Sequence, residues 1–443
     1  MFRDVILLSY CGIVHLQSYS NPIMISLNII IKSIRSTVKR RTSPLELHTQ
    51  TKPCLMFLSR MEGTTEEDKI AWYCQVFGED AERAGEVGGH SAFLKVEGLD
   101  STFGLKSGVT TLFADEAIIS HNSLVIPNGV SATFATEEVD GRKLENGTVD
   151  VTKNTLVVHV TAPQIETTSS VEDLVSNVFG DDGDQYNLKS QMEGCSYGRV
   201  KIEKATGENM NDGAAQVSIT EQSEDRKEME RLVVRELEEM FGTTDLKTVA
   251  DLILICMPPF RDDWSAYAYY NSPLSFYNDE KCNYPTLQMH EVGHNFNLGH
   301  SAQKVYTYGD RSGTMGGSTF EDEGEDSLRC YNAAKTWQLG WFGENNIDLD
   351  LVEESWGGRL IGTANFEDST EQQKNVLLKI AGNYFVQFNY AAGFNSGTDE
   401  FINRVTVSII TIKGGGFRLF LLSNIYSNAF CFIRFLDCQT NRR

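Results

Sequence analysis

The sequence predicts an α+β fold that is preceded by a small β-rich N-terminal unit. Three patterns support this class. Residues 223–241 place apolar side chains at helical spacing, residues 252–256 are a short apolar run of strand length, and residues 92–160 alternate short apolar runs with glycine, asparagine and aspartate. Because helix-period and strand-period segments occur in one chain, a mixed fold is expected.

Length and composition set the broad class of protein. A chain of 443 residues is too long for one compact core, so two or three units are expected. Hydrophobic residues at 41% and charged residues at 23% are ordinary for a soluble globular protein. The formal net charge of −22 argues against binding to nucleic acid or to an anionic membrane surface, and it suits a secreted protein. Stable membrane insertion is not expected either, because the one candidate apolar core, residues 5–16, is too short to span a membrane. The sequence does not predict an oligomeric state.

The first predicted element is a short helix over residues 64–77. Thr64 lies three positions before Glu67, the spacing of a capping box, ahead of an apolar run. The short apolar runs of residues 92–160 are separated by turn residues, as in a small unit built from strands.

The central region is predicted to contain helices and strands in a fixed order. Residues 223–241 form an amphipathic helix that ends at Gly242, since glycine is favoured where a helix ends. The apolar run at 252–256 is a buried strand, and residues 264–270 alternate as in an edge strand. The remaining predicted elements are a helix that begins near Pro285, a helix over residues 328–339 ended by Gly340, and strands from there to about residue 410.

Residues 290–300 contain three of the chain's eight histidines. His290 and His294 are four residues apart, so on a helix they lie on one face and can hold one metal ion. Glu291 projects about 100° away from that face, so it reaches a metal-bound water without ligating the metal. The helix must end after His294 so that His300 can return as the third ligand. Three imidazoles and one water form the open tetrahedral site of catalytic Zn²⁺.

Chance is the competing explanation for this motif, because HExxH occurs in many helices without a metal. The third histidine, six residues after the second, makes the match much more specific. The spacing is similar to HExxHxxGxxH, the long zincin pattern of the metzincins, with Asn297 at the glycine position. After glycine, asparagine is the residue most tolerant of the left-handed backbone that leaves the helix, so we expect the turn to be kept.

A methionine in a turn follows the histidines. Residues 308–318 are rich in glycine and serine, and they include Met315. Metzincins have a methionine turn beneath the metal, as an apolar floor for the imidazoles, and the resemblance implies this place for Met315. No tyrosine closely follows Met315, so the sequence does not support a tyrosine ligand of the kind that some metzincins use.

Three segments make the resemblance narrower. They are HEVGHNFNLGHS at residues 290–301, YGDRSGTMG at 308–316 and CYNAAKTWQLGW at 330–341. These segments resemble the gametolysin family of metzincin peptidases, and the similarity spans roughly residues 155–411. The resemblance implies a metzincin-type catalytic domain with a twisted sheet, an active-site helix and a methionine turn. It also implies a secreted zinc endopeptidase, made as a zymogen, that acts on extracellular, cell-wall or matrix glycoproteins.

The predicted chemistry is hydrolysis of internal peptide bonds. Zn²⁺ on the three histidines lowers the pKa of its water toward about 7, and Glu291 acts as general base on that water. Two alternatives stay open: a catalytically inactive zinc-binding module for cell-wall or matrix glycoproteins, and a zinc hydrolase of non-peptide amides. The presence of Glu291 disfavours the first alternative. The predicted edge strand, which suits an extended peptide, disfavours the second.

These patterns divide the chain into four segments. Residues 155–412 are the predicted zinc peptidase domain, and residues 56–154 are a β-rich propeptide or accessory domain. Residues 1–55 and 413–443 do not follow the pattern of the rest. We interpret them as tails of doubtful origin, as errors of gene prediction would produce. No clear signal peptide is identifiable in the first tail.

The cysteines have more than one interpretation. Of nine cysteines, four lie in the predicted peptidase domain, and an even count permits disulfides whose pairing the sequence does not fix. Cys74 in the predicted propeptide is either a thiolate that caps the zinc of a latent enzyme or a buried core cysteine in a helix. The second is the commoner fate of a free cysteine.

Overall fold

The structure is a computed structural model of the chain. It describes residues 2–9, 12–19, 54–61, 71–76, 93–99, 102, 105–114, 116–120, 123–136, 151–163, 165, 167–181, 183–220, 223, 225–259, 264–303, 306–317, 328–342, 345–349, 356–366, 375–380, 384–413, 416–425 and 430–436.

The helices and strands below are those of the described residues. The α-helices are α1 (Val171–Phe179), α2 (Leu188–Ser196), α3 (Arg226–Phe241), α4 (Pro285–Asn295) and α5 (Ala333–Gln338). Short 3-10 helices lie at Leu246–Thr248, Asp279–Asn283, Thr363–Asn365 and Gly393–Asn395. The first strands are β1 (Phe2–Ser9), β2 (Gly12–Tyr19), β3 (Cys54–Met61), β4 (Ala71–Gln75), β5 (Phe93–Glu97), β6 (Thr110–Phe113), β7 (Ile118–Ser120), β8 (Ser123–Val125) and β9 (Thr133–Thr136). The later strands are β10 (Val151–Thr161), β11 (Val200–Lys204), β12 (Ala214–Ser218), β13 (Leu252–Met257), β14 (Ala266–Tyr269), β15 (Leu274–Asn278), β16 (Ser301–Ala302), β17 (Asn346–Leu349), β18 (Trp356–Arg359), β19 (Leu377–Ile380), β20 (Tyr384–Asn389), β21 (Arg404–Lys413), β22 (Gly416–Ile425) and β23 (Phe430–Leu436).

A mixed sheet of 13 strands is the centre of the fold. Its main order is β11-β10-β13-β15-β14-β3-β4-β5-β8-β7. Strands β11, β10, β13 and β15 are parallel to their neighbours in this series, whereas β14 is antiparallel to β15. Helices on the faces of a mixed sheet confirm the predicted α+β class.

Two hydrophobic clusters cover opposite faces of this sheet. Along β13, Leu252 and Leu254 join the cluster that contains side chains of α1, α2 and α4. Ile253 and Ile255 join the cluster that contains side chains of α3. Successive strand residues point to opposite faces, so both faces of β13 are covered. This explains why the predicted strand at 252–256 is a continuous apolar run rather than an alternating one.

Helix α3 agrees closely with its prediction. Asp225 caps its first turn, with its side chain accepting from Lys227 N, and Gly242 ends it with a φ of 64°. The predicted helix over residues 328–339 is shorter in the structure, where α5 begins only after Asn332. The Asn332 side chain accepts from Lys335 N, and an asparagine at this cap position starts the helix there.

Strands β3 to β9, residues 54–136, form what we call the N-terminal strand group. Its core contains Met56, Leu58, Leu94 and Leu124. A disulfide joins Cys54 of β3 to Cys74 of β4.

The predicted helix over residues 64–77 is wrong where the structure describes it, because residues 71–75 form β4. Trp72, Cys74 and Val76 are buried and the residues between them are half-buried, which is the two-residue period of a strand. Pairing with β3 on one side and β5 on the other outweighs the local preference for a helix. Residues 62–70, with the predicted capping box, lie outside the described residues.

Strand β14 is not an edge strand in the full chain, contrary to the prediction for residues 264–270. It pairs antiparallel with β15 on one side and with β3 on the other. Alternation in a sequence reports which side chains of a strand are buried. It does not report which strands lie alongside, so the second neighbour was not predictable from the alternation.

The C-terminal part forms a six-stranded sheet in the order β16-β22-β21-β20-β19-β17. Ala333, Ala334 and Trp337 of α5 pack against Leu377 and Phe385 of this sheet. Strand β21 runs across the predicted boundary at residue 412, and the domain boundaries themselves stay predictions. In the described part of the chain, no helix has both the length and the apolar character needed to cross a membrane.

Candidate metal centre

Helix α4 carries the first two histidines. It begins with Pro285 in its first turn, as predicted, because the N–H that proline lacks makes no helix bond there. All eleven residues of α4 are buried. The disulfide between Cys256 and Cys282 joins β13 to the 3-10 helix directly before α4. The start of the helix is therefore fixed covalently to the sheet.

The helix ends in a Schellman motif, which turns the chain back toward the histidines. Leu298 N donates to Gly293 O at 2.9 Å and Asn297 N donates to His294 O at 2.8 Å, the two hydrogen bonds of that motif. Asn297 has a φ of 65°, the left-handed conformation that the sequence predicts here. Gln338 Nε2 also donates to Asn297 O at 2.9 Å, so the segment after α4 is held by α5.

Substitutions at Asn297 test this turn. Asn297→Gly should keep the free energy of unfolding within about 1 kcal/mol of the original, because glycine adopts positive φ without strain. Asn297→Val should lose on the order of 2 kcal/mol or more, since a β-branched side chain resists this conformation. Urea unfolding of both variants measures the difference. Equal stability of the glycine and valine variants contradicts a left-handed turn at this position.

The three histidines converge on one point. One ring nitrogen from each of His290, His294 and His300 lies within 4.8 Å of the others. The Nε2 atoms of His294 and His300 are 3.0 Å apart. Two nitrogens bound to one tetrahedral zinc at about 2.0–2.1 Å lie about 3.3 Å from each other, so the spacing fits one small metal ion. All three side chains are buried.

Backbone carbonyls fix the orientation of two of the rings. His290 Nδ1 donates to Thr314 O at 2.7 Å, and His294 Nδ1 donates to Leu298 O at 2.7 Å. A carbonyl oxygen only accepts, so each Nδ1 carries the proton and each Nε2 keeps its lone pair. This is the tautomer that a metal-ligating histidine needs, and such hydrogen bonds orient ligands at metal sites.

Glu291 follows His290 directly in α4 and is 0% exposed. Tyr277 of β15 is close to it: burial raises the pKa of the Tyr277 phenol well above its ordinary value, and the negative charge of Glu291 raises it further. Among the described residues, the side chains whose ligand atoms converge are the three histidines alone. The Glu291 carboxylate is therefore not part of this cluster.

Met315 is buried against α4. A Cβ atom at Gly293 would lie 2.4 Å from Met315 Sδ, so the absence of a side chain on Gly293 lets the methionine approach the helix backbone. Ser301 N donates to Met315 O at 2.6 Å. The residue that follows the third histidine is therefore tied to the methionine.

A buried polar network supports the turn that contains Met315. The Asp310 carboxylate accepts from Ser312 N at 3.0 Å and from Asn332 Nδ2 at 2.8 Å. Asn332 Nδ2 also donates to Ser301 Oγ at 2.9 Å. Burial raises the pKa of Asp310 and lowers the pKa of Lys335 to about 7. The sequence did not predict this network, although its residues lie in the segments that carry the family resemblance.

Two tyrosine rings lie against the histidines and were also missed. The Tyr308 ring centroid is 4.3 Å from that of His300, and the Tyr270 ring centroid is 4.5 Å from that of His294. Both tyrosines precede Met315 in the chain, so the absence of a tyrosine shortly after the methionine gives no information about them. The rings give the cluster apolar walls, and electrostatic interactions are stronger in such surroundings.

A buried cluster of three imidazoles is a ligand set that fits one metal ion, as in catalytic zinc sites. The sequence model of the gametolysin peptidase M11 family matches residues 155–381, just over half of the chain. The chain therefore belongs to the gametolysin peptidase family, and the resemblance predicted from the sequence is confirmed. Comparison with curated proteins found no match, and comparison with solved structures found none either.

Family membership establishes a peptidase, and hence a protein substrate. The histidine cluster supports a metallopeptidase, with zinc as the metal that the ligand set fits best. The structure brings His290, His294 and His300 together. The roles of all the predicted site residues stay predictions: His290, Glu291, His294, Asn297, His300 and Met315.

Proposed function

We propose that the protein is a zinc-dependent metalloendopeptidase that hydrolyses internal peptide bonds of extracellular or cell-wall glycoproteins. The observation that carries this proposal is the convergence of three histidine nitrogens, with the buried Glu291 directly after His290 in α4. Membership of a peptidase family supports the peptide bond as the target.

The proposed mechanism gives separate roles to the histidines and the glutamate. His290, His294 and His300 would hold the zinc, which when bound would supply Lewis-acid chemistry, lowering the pKa of a water molecule and polarising the scissile carbonyl. Glu291 accepts the proton of that water as general base and later passes it to the leaving amine. The carbonyls of Thr314 and Leu298 hold two of the imidazoles in place, so their lone pairs stay directed at the metal during the reaction.

We assign Met315 to the apolar floor of the site, in a methionine turn of the metzincin type. Its contact with the helix at Gly293 and its hydrogen bond from Ser301 support this role. A methionine sulfur in this place fills the space beneath the imidazoles without competing for the metal.

Secretion and synthesis as a zymogen are part of the same proposal. Disulfides Cys54–Cys74, Cys195–Cys330 and Cys256–Cys282 support an oxidising, extracellular location, because reduced thiols prevail in the cytosol. The N-terminal strand group is proposed as the propeptide of this zymogen.

A catalytically inactive zinc-binding module for the same glycoproteins is the alternative. Burial of all three histidine side chains in the full chain is compatible with this alternative, because a metal that only stabilises the fold needs no access for substrate. Glu291 argues against it, because a metal site that only binds or stabilises has no need of a base beside its first ligand.

Casein cleavage tests the proposed function. The protein, assayed both intact and after limited proteolysis, should contain about one zinc per chain and should produce internal fragments of casein. A chelator should abolish cleavage and zinc should restore it. Bound zinc without any hydrolysis supports the inactive module. Hydrolysis of small non-peptide amides but not of casein supports the third class, a non-peptide amidase.

A further inference from the structure

Strand β3 of the N-terminal strand group occupies the outer edge of β14. The two strands are antiparallel, with Met61 opposite Tyr267, Arg60 opposite Ala268 and Ser59 opposite Tyr269. In the sheet order β11-β10-β13-β15-β14-β3, β14 is the last strand before the N-terminal strand group begins. Without β3, the edge of β14 would be open to an extended peptide, which could add to the sheet there through main-chain hydrogen bonds. One edge accepts one strand, so β3 and such a peptide exclude each other.

Tyr270, directly after β14, links β3 to the metal centre. Its N–H donates to Leu58 O at 2.9 Å, and its carbonyl accepts from Ser107 Oγ. Ser107 Oγ in turn accepts from Leu58 N at 2.8 Å, so one hydroxyl bridges the two strands. The Tyr270 side chain packs in the core of the N-terminal strand group, and its ring lies 4.5 Å from that of His294. The next residue, Asn271, donates from its N–H to His294 O at 3.1 Å.

Side-chain contacts on the opposite face of the sheet also hold the N-terminal strand group against β14. Lys227 Nζ of α3 lies 4.7 Å from the centroid of the Tyr73 ring in β4 and 5.0 Å from that of Tyr269 in β14. Phe93 of β5 stacks on Tyr269 with centroids 4.7 Å apart. Cation–π and stacked contacts of this kind add to the burial of the rings. The N-terminal strand group is therefore held by side chains as well as by strand pairing.

We propose that β3 occupies the place where a substrate backbone would pair with β14, and that the metal centre opens when the N-terminal strand group leaves. This inference rests on the proposed peptidase function and adds its regulation. It explains why a peptidase has His290, Glu291 and His294 at 0% exposure in the full chain. Inhibition of this kind uses main-chain pairing and does not use Cys74 as a thiolate, since Cys74 is bonded to Cys54.

A cleavable form of the full chain tests the inference. A recognition sequence for a specific protease is placed within residues 137–150, which connect β9 to β10, and the zinc-loaded protein is compared before and after the cut, at high dilution. The rate at which a chromophoric chelator removes zinc should rise on the order of tenfold or more, because a tethered strand competes at millimolar effective concentration. Casein cleavage should rise in parallel.

Ser107→Ala provides a test without cleavage, because it removes the hydroxyl that bridges Leu58 and Tyr270. The uncut variant should release zinc to the chelator about tenfold faster than the original, as expected when buried polar groups lose their partner. Ser123→Ala is the matched control: Ser123 lies on β8 and contacts Glu97 within the N-terminal strand group, and its release rate should not change.

The two proposals fail in different ways. If the rate of zinc release is the same before and after the cut, and gel filtration shows that the two parts have separated, then β3 does not occlude the metal centre. This conclusion holds whatever the peptidase activity is. Faster release without casein cleavage supports the occlusion and overturns the peptidase function.

Discussion

Glu291→Gln should lower peptidase turnover by about 10²–10⁴-fold, the usual contribution of a positioned general base, while zinc content stays near that of the original. Glutamine has the shape of glutamate but no basic oxygen at neutral pH. The side chain is fully buried, directly after His290 in α4, and is not among the converging ligand atoms. Chemistry should therefore be lost and metal binding kept.

The measurement is turnover of a peptide substrate together with metal analysis of the same sample, after the N-terminal strand group has been released. Glu239→Gln is the matched control, since Glu239 lies on α3 with its side chain 69% exposed and should keep full activity. Zinc loss in Glu291→Gln would instead make the glutamate a ligand. Undiminished turnover would remove it from the mechanism and revive the non-catalytic alternative.

Local sequence rules predicted the part of the site that is local in the chain. His290 and His294 share a face because a helix repeats every 3.6 residues. Asn297 takes the left-handed conformation, with a φ of 65°, because the helix has to end before His300. These conclusions need only the geometry of about eleven consecutive residues, so they could be drawn before any tertiary structure was known.

Contacts between distant segments were not predictable in this way. Asp310 and Asn332 meet through a hydrogen bond of 2.8 Å, yet no spacing rule relates two residues on a turn and at a helix cap. Tyr270 reaches His294 only because β14 lies beside α4. Disulfide pairing has the same limitation: four cysteines in one domain allow three arrangements, and the fold selects Cys195–Cys330 and Cys256–Cys282.

The error at β4 and the error at β14 have one physical cause. The sequence around residues 64–77 has a capping box and an apolar run, which favour a helix when considered alone, but residues 71–75 pair with β3 and β5. The alternation at residues 264–270 favours an edge strand, but β3 pairs with the outer edge of β14. Strand formation depends on neighbours that are distant in sequence, so local patterns determine it less well than they determine a helix.

His300→Ala should reduce zinc affinity by more than about 100-fold, because loss of even an outer-shell partner of a ligand costs about 10–100-fold and this change removes a ligand itself. Two histidines leave the tetrahedral site incomplete. The ring also packs against Tyr308, with centroids 4.3 Å apart, so a competing explanation for any loss is the removal of this contact.

Two further variants separate ligation from packing. His300→Cys supplies a thiolate, which zinc accepts as a ligand, but it lacks the ring; it should therefore bind zinc more tightly than His300→Ala if ligation decides the affinity. His159→Ala removes a buried histidine of β10 that bonds Thr167 at 2.9 Å, away from the cluster, and should keep its zinc. Competition with a chromophoric chelator measures all three affinities. If His300→Ala retains full zinc content and activity, His300 is not the third ligand, and the short motif His290-Glu291-xx-His294 would have to find its third ligand elsewhere in the chain.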